Sequence, residues 1–500
     1  MAAEHEVKLD LHPTVELGDP VSDIEGADVE HVDPVRLRAT YFDTADLRLI
    51  RAGATVRYRP EADSDPWQVK HPIGDADTDG IVRDERAYPG NDEGPPAAVT
   101  SAVAALTRGA PLVPVATLLT ERTRVRVHAD GQVAVEVTDD DVEAHVDGRL
   151  VARFRELEVE GDHDRIRREV VDRLVDAGAS RSGNRPKLVR ALGPAAEAPP
   201  DLVVPELPTP STRVPVVDVV SRAMLVDLDR MIRFDPGTRL GEDVEALHQM
   251  RVATRRLRTT LRTYRPVLDR EWADSLRDDL RPLAAALGAV RDLDVLVARV
   301  ETDLAALDPA DAVAGPELCA LLQLRRDRAR GVLLEQLEGP GYGELLDRLL
   351  AAATTPRVLE PDAPAGPTLA PLVRQAWKGV RRAVAAGDDQ PADDQHPDDH
   401  LHDVRLRTKR LRYAADAVQP ALGQPAADLS RAAGRVQDVL GAWQDAVVAI
   451  EMFRTLRDEV DPGVAYLLGV LAARAGRRRD RAAGRWPAAW RRLRRHRKRI

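Results

Sequence analysis

The sequence contains little of several residue types that particular classes of protein need. Its single cysteine, Cys319, in 500 residues excludes a disulfide framework and a cysteine-rich zinc module. Aromatic residues make up 3% of the chain, so few rings are available to stack on single-stranded nucleic acid. No uninterrupted run of 18 apolar residues occurs, and the start, MAAEHEVKLDL, has no apolar signal core. These absences predict a soluble, cytoplasmic protein whose metal ligands, if any, are carboxylates or histidines.

Charge is distributed unevenly along the chain, whose net charge is −10. Residues 1–200 contain 25 lysines and arginines against 39 acidic residues, whereas residues 201–500 contain 48 against 44. The last 24 residues, 477–500, contain 12 positive residues and one aspartate. This asymmetry indicates an anionic partner for some surfaces and a cation requirement for others.

The chain divides at GPAAEAPPDLVVPELPTPST, residues 193–212, which is too rich in proline and small residues for a regular element. Before it, segments such as RTRVRVH and FRELEVE alternate with period two, which is typical of antiparallel strands. After it, helical spacing dominates. The sequence therefore predicts an antiparallel β domain over 1–192, a linker over 193–212 and an all-α domain over 213–500.

The predicted helical domain contains an internal repeat. HQMRVATRRLR, beginning at His248, recurs as HDVRLRTKRLR, beginning at His402. A second motif, LGA at residue 287, recurs at residue 440. The two offsets are 154 and 153 residues. Two motifs repeated in register predict a duplicated helical unit, with halves at about 213–350 and 370–500.

Charges of one sign segregate on the predicted strands. Residues two apart on a strand share a face, so Arg122 aligns with Arg124 and Glu156 aligns with Glu158. An ordinary half-exposed sheet would place such charges in water. Like charges on one face of a sheet repel each other, however. Inside a closed barrel with a polar interior, the same charges could bind ligands. In such a barrel the arginines would bind an anion, and the glutamates would hold Mg²⁺ or Mn²⁺.

An ordered series of segments carries a family resemblance over about residues 3–192. EHEVK resembles the ExExK signature of the CYTH superfamily, the triphosphate tunnel metalloenzymes. TYFDTADLRLIRAGATVRYR, WQVK, RDER, TERTRVRV, RELEVEG and RPKLVRAL follow in the order of that family's later blocks. The resemblance implies an antiparallel eight-stranded β tunnel barrel that binds triphosphate, and metal-assisted hydrolysis of a phosphoanhydride.

The same resemblance implies roles for individual residues. Lys8, with Glu4 and Glu6, would be catalytic, and Lys8 would help to orient the attacking water. Among Asp139, Asp140 and Asp141 the choice of metal ligand stays open, with Asp140 preferred because it shares the parity of Glu136. Glu156, Glu158 and Glu160 likewise leave the second carboxylate pair open. The implied metal ligands are Glu4, Glu6, Asp140, Glu156 and Glu158. The implied triphosphate-binding residues are Lys8, Arg57, Arg59, Lys70, Arg83, Arg122, Arg124 and Lys187.

The helical repeat places cations in stripes. Arg251, Arg255, Arg258 and Arg262 follow the spacing i, i+4, i+7, i+11 and so lie on one helix face. A single stripe is compatible with a solvated face, but two copies favour one shared anion site. The paired histidines lack a second nearby ligand, so a metal there is not favoured.

The two copies resemble the CHAD domain over about residues 213–495. The matching blocks are LHQMRVATRRLRTTLRTY with LGAVRDLDVL, and LHDVRLRTKRLRYAAD with LGAWQDAV. The family is associated with binding of inorganic polyphosphate. The implied polyphosphate-binding residues are His248, Arg251, Arg255, Arg256, Arg258, His402, Arg405, Lys409, Arg410 and Arg412.

The sequence therefore predicts a metal-dependent triphosphatase joined to a polyphosphate-binding domain, associated in one interpretation with polyphosphate granules. Two alternatives stay open: a non-catalytic polyphosphate-binding protein, and a nucleotide-acting enzyme such as an adenylate cyclase or a nucleoside or thiamine triphosphatase. No membrane partner is expected. A sequence-specific nucleic-acid partner is not expected either, since there is no recognition helix, zinc ligand set or aromatic ladder. The basic segment 477–500 is either an exposed tail or a helix that lines the basic groove.

Overall fold

The computed structural model describes residues 6–15, 17, 21–22, 24–25, 27–61, 64–72, 83–181, 185–207, 211–388 and 397–496. The chain divides into two compact units, Met1–Val203 and Val204–Ile500. The first unit contains all the described strands, and the second is built from helices. This arrangement confirms the predicted fold class, an antiparallel β domain followed by a helical domain.

The first unit contains one antiparallel sheet with the strand order β5-β4-β3-β2-β6-β7-β8-β1-β9. The predicted eight-stranded closed barrel was wrong in its detail, because nine strands are present and, within the described residues, β5 and β9 do not pair. The short β9 pairs with β1 through Leu9–Arg181 and Asp10–Ser180, and so occupies the edge that closure would need. The strands are β1 (Glu6–Leu11), β2 (Asp28–Asp43), β3 (Thr55–Tyr58), β4 (Trp67–Pro72), β5 (Arg83–Tyr88), β6 (Val113–Ala129), β7 (Gln132–Val146), β8 (Arg149–Glu160) and β9 (Ser180–Arg181).

Alternation along the strands separates an apolar face from a charged one. Val135 and Leu157 are fully buried, and they pack with Ile166 and Leu174 in one hydrophobic cluster. Side chains at the intervening positions lie on the other side of the sheet. The helices of this unit are α1 (Arg48–Arg51), α2 (Ala97–Ala102), α3 (Ala104–Thr107), α4 (Asp164–Asp176) and α5 (Lys187–Leu192).

The second unit is a set of packed helices with a repeated order. α8 and α13 carry the two copies of the histidine–arginine motif, and α9 and α14 carry the two LGA motifs. On α8, Met250, Leu257 and Leu261 are fully buried, so the spacing that leaves the arginines outside also builds the core. The helices are α6 (Val216–Arg233), α7 (Asp235–Leu240), α8 (Val244–Tyr264), α9 (Arg270–Leu304), α10 (Gly315–Glu338), α11 (Pro340–Thr354), α12 (Ala365–Asp388), α13 (Pro397–Leu422), α14 (Gln424–Arg457) and α15 (Pro462–Arg495).

The basic C-terminal segment is helical up to residue 495, where α15 ends. Arg474 and Arg478 on this helix form ion pairs with Asp303 of α9, at 3.4 and 2.8 Å. Part of its charge is therefore used within the helical unit. Among the helices that the structure describes, none is long and apolar enough to span a membrane.

Candidate functional site

Three carboxylates converge on one ammonium group at the charged face of the sheet. Asp140 of β7 lies opposite Glu156 of β8, and Glu158 follows two residues later on the same face. The side chains of Asp140 and Glu156 have no exposed surface. Lys187 at the start of α5 places its Nζ 2.5 Å from Asp140, 3.0 Å from Glu158 and 3.4 Å from Glu156. Lys187 begins α5, and this helix packs on the sheet through the buried Leu188. The contact between Lys187 and the carboxylates of β7 and β8 therefore depends on the packing of a helix that comes later in the sequence.

Two further cations complete this network. Lys8 of β1 is in register with Glu158 and donates a hydrogen bond to its Oε1 at 2.7 Å. Its Nζ also lies 3.7 Å from Glu156. Arg122 of β6 donates two parallel hydrogen bonds to Asp140, each 2.7 Å long. The planar fork of an arginine suits such bidentate contacts with carboxylates and phosphates alike.

The surroundings of Glu156 and Glu158 shift the pKa values of these two carboxyl groups in opposite directions. Burial raises the pKa of Glu156, although Lys187 and Lys8 oppose it. Burial also acts on Glu158, but Lys187 and Lys8 together hold the pKa of that carboxyl well below its usual range. The pKa of Lys187 is raised, because the three carboxylates outweigh its burial. Glu158 is therefore an anion and Lys187 a cation at neutral pH.

A second basic group lies on the neighbouring strands. Arg57 of β3 donates to Gln68 at 2.6 Å and lies 3.8 Å from Glu85, which is itself 2.6 Å from Lys70. Tyr41 has its hydroxyl 3.4 Å from Arg57. Burial opposes ionisation of Tyr41, but Arg57, Lys187 and Lys70 still lower its pKa. The hydroxyl is therefore surrounded by cations that suit phosphate oxygens.

Two more arginines of the predicted site are placed nearby in the sheet. Arg59 forms an ion pair with Glu61 at 2.5 Å. Arg124 of β6, which follows Arg122 on the same face, has a buried Nε with no hydrogen-bond partner among the described residues. A buried donor without an acceptor is costly, so an anionic oxygen at this point would be stabilising.

The remaining predicted residues of the site are only partly placed. Glu4 lies outside the described residues, whereas Glu6 begins β1 and Arg83 begins β5 with side chains that are not described. Asp139 and Asp141 lie on the opposite face from Asp140 and pair with Arg155 and Arg153, respectively.

Sequence reasoning missed several members of the network. Arg190 donates to Asp10 at 2.5 Å and lies 3.4 Å from Glu156. A signal was available for both, because Asp10 shares the strand parity of Lys8 and Arg190 lies one helical turn after Lys187. Gln68 and Glu85 carried the same kind of signal, because they share the strand parity of Lys70 and Arg83, respectively.

The donor chemistry of the charged face fits a hard divalent cation. Asp140, Glu156 and Glu158 supply the oxygen ligands that Mg²⁺ and Mn²⁺ prefer. The Oε1 atom of Glu156 is buried without a hydrogen-bond partner and contacts Lys187 and Lys8 only at 3.4 and 3.7 Å. Across the described part of the chain, no three acidic, histidine or cysteine side chains form a ready-made metal site. The carboxylates instead surround the ammonium of Lys187.

In the helical unit, four cations form what we call the central cluster: Arg251 and Arg255 of α8 with Arg405 and Lys409 of α13. Arg251 pairs with Asp292 at 3.0 Å, but the other three have no ion-pair partner among the described residues. Burial and the charges of Arg405, Arg255 and Arg251 lower the pKa of Lys409 to about 7. The cluster therefore carries an excess of positive charge that an anion would relieve.

A second set of arginines lies farther along α8 and α13, and we call it the flank cluster. Burial lowers the pKa of Arg258, and so do the charges of Arg277 and Arg281. The same causes act on Arg262, through Arg277 and Arg407, and on Arg410. The flank cluster consists of Arg258, Arg262, Arg277, Arg281, Arg407 and Arg410.

Arg256 and Arg412 occupy a third place. They line a cleft of about 540 Å³ between α6, α8 and α13, together with Asp227 and Asp416. Arg256 lies 2.9 Å from the buried Asp227, and Arg412 donates to Gln437 at 3.0 Å. The structure thus distributes the predicted polyphosphate-binding arginines over three places rather than one groove.

The two repeated histidines differ in their surroundings. His248 is partly buried, and burial and the charge of Arg291 lower its pKa. Its Nδ1 is buried and has no hydrogen-bond partner within the described residues. His402 is exposed, and its Nδ1 is 2.8 Å from Gln444.

The sheet with its charged face and the duplicated helical unit are two separate domains. Comparison with known proteins confirms the two families that the sequence resembles. The chain belongs to the CYTH and CHAD families, whose models match residues 2–180 and 222–454, respectively. CYTH domains are generally metal-dependent.

Three proteins illustrate what the chain is similar to. An uncharacterised protein of Mycobacterium tuberculosis is 32% identical over 449 residues, which cover 85% of this chain and 82% of that protein. The crystal structure of the CHAD domain from the plant Ricinus communis is 24% identical, with 58% of this chain and 94% of that one covered, at a TM-score of 0.47. A Hippeastrum protein described as an adenylyl cyclase with a dominant triphosphatase activity is 16% identical, with 38% and 98% covered, at a TM-score of 0.24.

Proposed function

We propose that the CYTH domain hydrolyses inorganic triphosphate, or a related short polyphosphate, with Mg²⁺ or Mn²⁺, and that the CHAD domain binds inorganic polyphosphate. The observation that carries this proposal is the convergence of Asp140, Glu156 and Glu158 with Lys8, Lys187 and Arg122. Buried carboxylates beside lysine and arginine are the two halves of a site for a metal–phosphate complex.

The charged residues divide the work of the reaction between them. Asp140, Glu156 and Glu158, with Glu4 and Glu6 by family resemblance, would hold the divalent cation. When bound there, a divalent cation neutralises phosphate oxygens and lowers the pKa of a bound water. Lys8 and Arg122 lie against the same carboxylates, so they reach the phosphate that is bound beside them. Arg57 and Lys70 extend the basic surface for the rest of the chain, and this neutralisation supplies most of the catalysis.

The same ion pairs couple the binding of the metal to the binding of the triphosphate. Lys187 and Arg122 neutralise carboxylates in the structure. A phosphate chain attracts the same cations, and each cation that turns toward phosphate leaves a carboxylate in need of positive charge. Binding of triphosphate therefore strengthens binding of the metal, and by linkage the reverse holds to the same extent.

An inorganic substrate is favoured over a nucleotide by the two aromatic rings near the site. Trp67 is fully buried between Phe42 and Tyr58, and its Nε1 donates to the carbonyl of Asn91. Tyr41 is buried among Arg57 and its neighbours. Neither ring is free to stack on a base.

In the CHAD domain, the proposal rests on the central cluster. Arg255, Arg405 and Lys409 have no ion-pair partner among the described residues, and Arg255 lowers the pKa of the other two. Asp445 is the carboxylate that acts on Arg405 and Lys409, and burial raises its own pKa, so it offsets the repulsion only in part. An anion with several charges would stabilise all of them at once, whereas a single phosphate would satisfy fewer contacts. A linear polyphosphate has the required chemistry.

The test is phosphate release from tripolyphosphate, ATP and thiamine triphosphate, with Mg²⁺ or Mn²⁺, alongside polyphosphate binding. The wild type is compared with a Glu4→Ala/Glu6→Ala variant and with Asp141→Asn, whose carboxylate lies on the other face. We expect turnover to be greatest with tripolyphosphate, to be lost in the double variant and to persist in Asp141→Asn, with polyphosphate binding retained throughout. Absence of turnover on all three substrates despite tight polyphosphate binding would establish the non-catalytic alternative.

A further inference from the structure

The flank cluster carries more positive charge than the structure neutralises. Within the described residues, Arg258, Arg262 and Arg410 have no ion-pair partner. Arg258 in addition has a buried Nε without a hydrogen-bond acceptor. Arg277 and Arg281 lower the pKa of Arg258, and Arg262 and Arg407 lower that of Arg410. Such neighbouring cations are unfavourable in an isolated protein and favourable against an anion.

The remaining members are neutralised only in part. Arg277 shares Asp274 with Arg265, and Arg281 pairs with Asp278. Arg407 donates to Asp403 at 3.1 Å. Each of these carboxylates pairs with another arginine, so Asp278 offsets Arg258 and Asp403 offsets Arg410 only in part. Within the described residues, the charges that act on Arg262 are those of Arg277 and Arg407.

The duplication provides an internal comparison for this cluster. In the repeat, Arg258 aligns with Arg412 and Arg262 aligns with Asp416. Asp416 lies 3.9 Å from Arg412 and accepts a hydrogen bond from Ser430. One copy thus has a carboxylate at the position where the other has a cation.

The third position of the repeat shows the same difference. Arg410 aligns with Arg256, which lies 2.9 Å from the buried Asp227. Burial raises the pKa of Asp227 to about 6, although Arg256 opposes it. The cleft between α6, α8 and α13 therefore contains its own counter-ions, whereas Arg258, Arg262 and Arg410 of the flank cluster have no ion-pair partner within the described residues.

The flank cluster also lies within reach of the central cluster. Arg251 and Arg255 of the central cluster precede Arg258 and Arg262 on α8, at the spacing of one helix face. Seven residues of α-helix, from Arg251 to Arg258, rise by about 10 Å. A flexible polyanion that is bound at one cluster can extend along α8 to the other.

From this geometry we propose that the flank cluster is a second phosphate-binding site, which one polyphosphate chain occupies together with the central cluster. The inference rests on the proposed binding function of the CHAD domain and adds a dependence on chain length. A short chain binds at one cluster, while a long chain binds at both and gains affinity through effective concentration. The cleft with Asp227 and Asp416 is not part of this path.

The experiment compares binding of tripolyphosphate and of long-chain polyphosphate to the full chain, by calorimetry in metal-free buffer so that nothing is hydrolysed. The flank variant is Arg258→Gln/Arg262→Gln/Arg410→Gln, and the central variant is Arg255→Gln/Arg405→Gln. The control is Arg325→Gln. It removes an arginine of α10 that pairs with Glu459 and belongs to neither cluster. The CYTH domain is unchanged in all of these variants, so differences in affinity between them come from the helical unit. Thermal melts and circular dichroism establish that each variant is folded.

We expect the flank variant to bind long-chain polyphosphate about ten-fold more weakly or worse, and tripolyphosphate as the control does. Its long-chain affinity should also depend less steeply on salt, because fewer phosphate contacts release counterions. If the flank variant matches Arg325→Gln with long chains, the inference fails while the proposed function stands. Equal losses for both ligands would also overturn it, since they would indicate one undivided site. Failure of the wild type to bind polyphosphate would instead overturn the proposed function of the domain.

For the flank variant to remain informative if it is poorly folded, the single substitution Arg262→Glu is the second test. Arg262 lies on the exposed surface of α8 and only part of its side chain is shielded from water, so the core should tolerate reversal of its charge. We expect it to weaken long-chain binding and to leave tripolyphosphate binding unchanged. Wild-type affinity for long chains in this variant would contradict a phosphate site at the flank cluster.

Discussion

In the β unit, the buried carboxylates Asp140 and Glu156 lie against lysine and arginine, whereas in the helical unit Arg255 and Lys409 have no ion-pair partner in the described residues. Both regions are rich in charge, and both belong to domains associated with phosphate chemistry. The difference lies in what each region still needs. The β unit has buried carboxylates beside its cations and can accept a metal with a phosphate. In the central cluster, four cations outnumber the nearby carboxylates Asp292 and Asp445, so this cluster needs an anion.

The comparison predicts opposite effects when a charge is removed. In a network of buried pairs, deletion of one partner leaves the other uncompensated and destabilises the protein. In a cluster of like charges, deletion of one member relieves repulsion. Each prediction below tests one side of this contrast, from the largest expected effect to the smallest.

The largest effect is expected on turnover of tripolyphosphate. Glu158→Gln removes the anion that contacts both Lys8 and Lys187, at 2.7 and 3.0 Å, and that would help to hold the metal. We expect kcat/KM to fall by about 100-fold or more, as is typical when one preorganised charge is lost. Phosphate-release kinetics at saturating Mn²⁺ measure this, with Asp141→Asn as the control. A Glu158→Gln enzyme that retains wild-type kcat/KM would remove the β8 carboxylates from the proposed mechanism.

The second effect is expected on the stability of the β unit. Asp140→Asn leaves Arg122 and Lys187 beside a neutral, fully buried group, and we expect a loss of about 3 kcal/mol in the free energy of unfolding. Asp141→Asn breaks an ion pair with Arg153 that is more than half exposed on the arginine side, so its cost should be much smaller than that of Asp140→Asn. Urea denaturation of the two variants gives the comparison. Equal losses in both would show that the network on the charged face contributes little to folding.

The third effect has the opposite sign. Lys409→Met removes a charge that burial and Arg405, Arg255 and Arg251 disfavour, so the helical unit should gain about 1 kcal/mol of stability. The gain should be larger at pH 6 than at pH 9. The unfolded lysine binds its proton up to a pKa near 10.5, whereas the folded one releases it near 7, so wild-type stability at this site rises with pH between these values. A loss of stability at pH 6 would mean that a counter-ion neutralises the cluster.

Strand parity and helical spacing predicted which charges share a face, because both periods are local properties of the chain. The register of β7 and β8, which parity within one strand cannot predict, places Asp140 opposite Glu156. Parity itself grouped Asp140 with Glu136, and Glu156 with Glu158, and it separated Asp140 from Asp139. It could not place Lys187 among these carboxylates, since that contact depends on how α5 packs on the sheet. The pairing of the two-residue strand β9 with the edge of β1 is likewise a contact between segments far apart in the sequence.

The helical repeat shows the same limit. Spacing predicted one stripe from Arg251 to Arg262, and all four arginines do lie along α8. What divides them is supplied by another helix: α9 contributes Asp292 near Arg251, and Arg277 near Arg258 and Arg262. The attraction of Arg251 to Asp292 and the repulsion of Arg258 and Arg262 by Arg277 both come from α9. A single stripe in the sequence therefore became two clusters with different surroundings.

The smallest effect is expected on the pH dependence of polyphosphate binding. The charged groups that act on Lys409 are Arg405, Arg255 and Arg251, which lower its pKa, and Asp445, which raises it. The net pKa of about 7 means that Lys409 loses its charge as the pH rises through neutrality. A bound polyanion favours the charged form, so binding takes up a proton and the affinity falls with increasing pH. The loss of one charge-assisted contact corresponds to about ten-fold at most.

Lys409→Arg isolates this effect, because an arginine keeps its charge throughout the range and retains the position of the cation. We expect wild-type affinity for long-chain polyphosphate to fall between pH 6.5 and about 9, and the affinity of Lys409→Arg to fall less. Titration calorimetry in two buffers of different ionisation enthalpy should detect proton uptake near pH 7.5 only in the wild type. Parallel pH profiles for the two proteins would place the titrating group elsewhere. Because Lys187 has carboxylate partners that raise its pKa, no comparable loss of charge is expected at the β unit over this range. The pH dependence itself therefore distinguishes the cation-rich central cluster from the paired network.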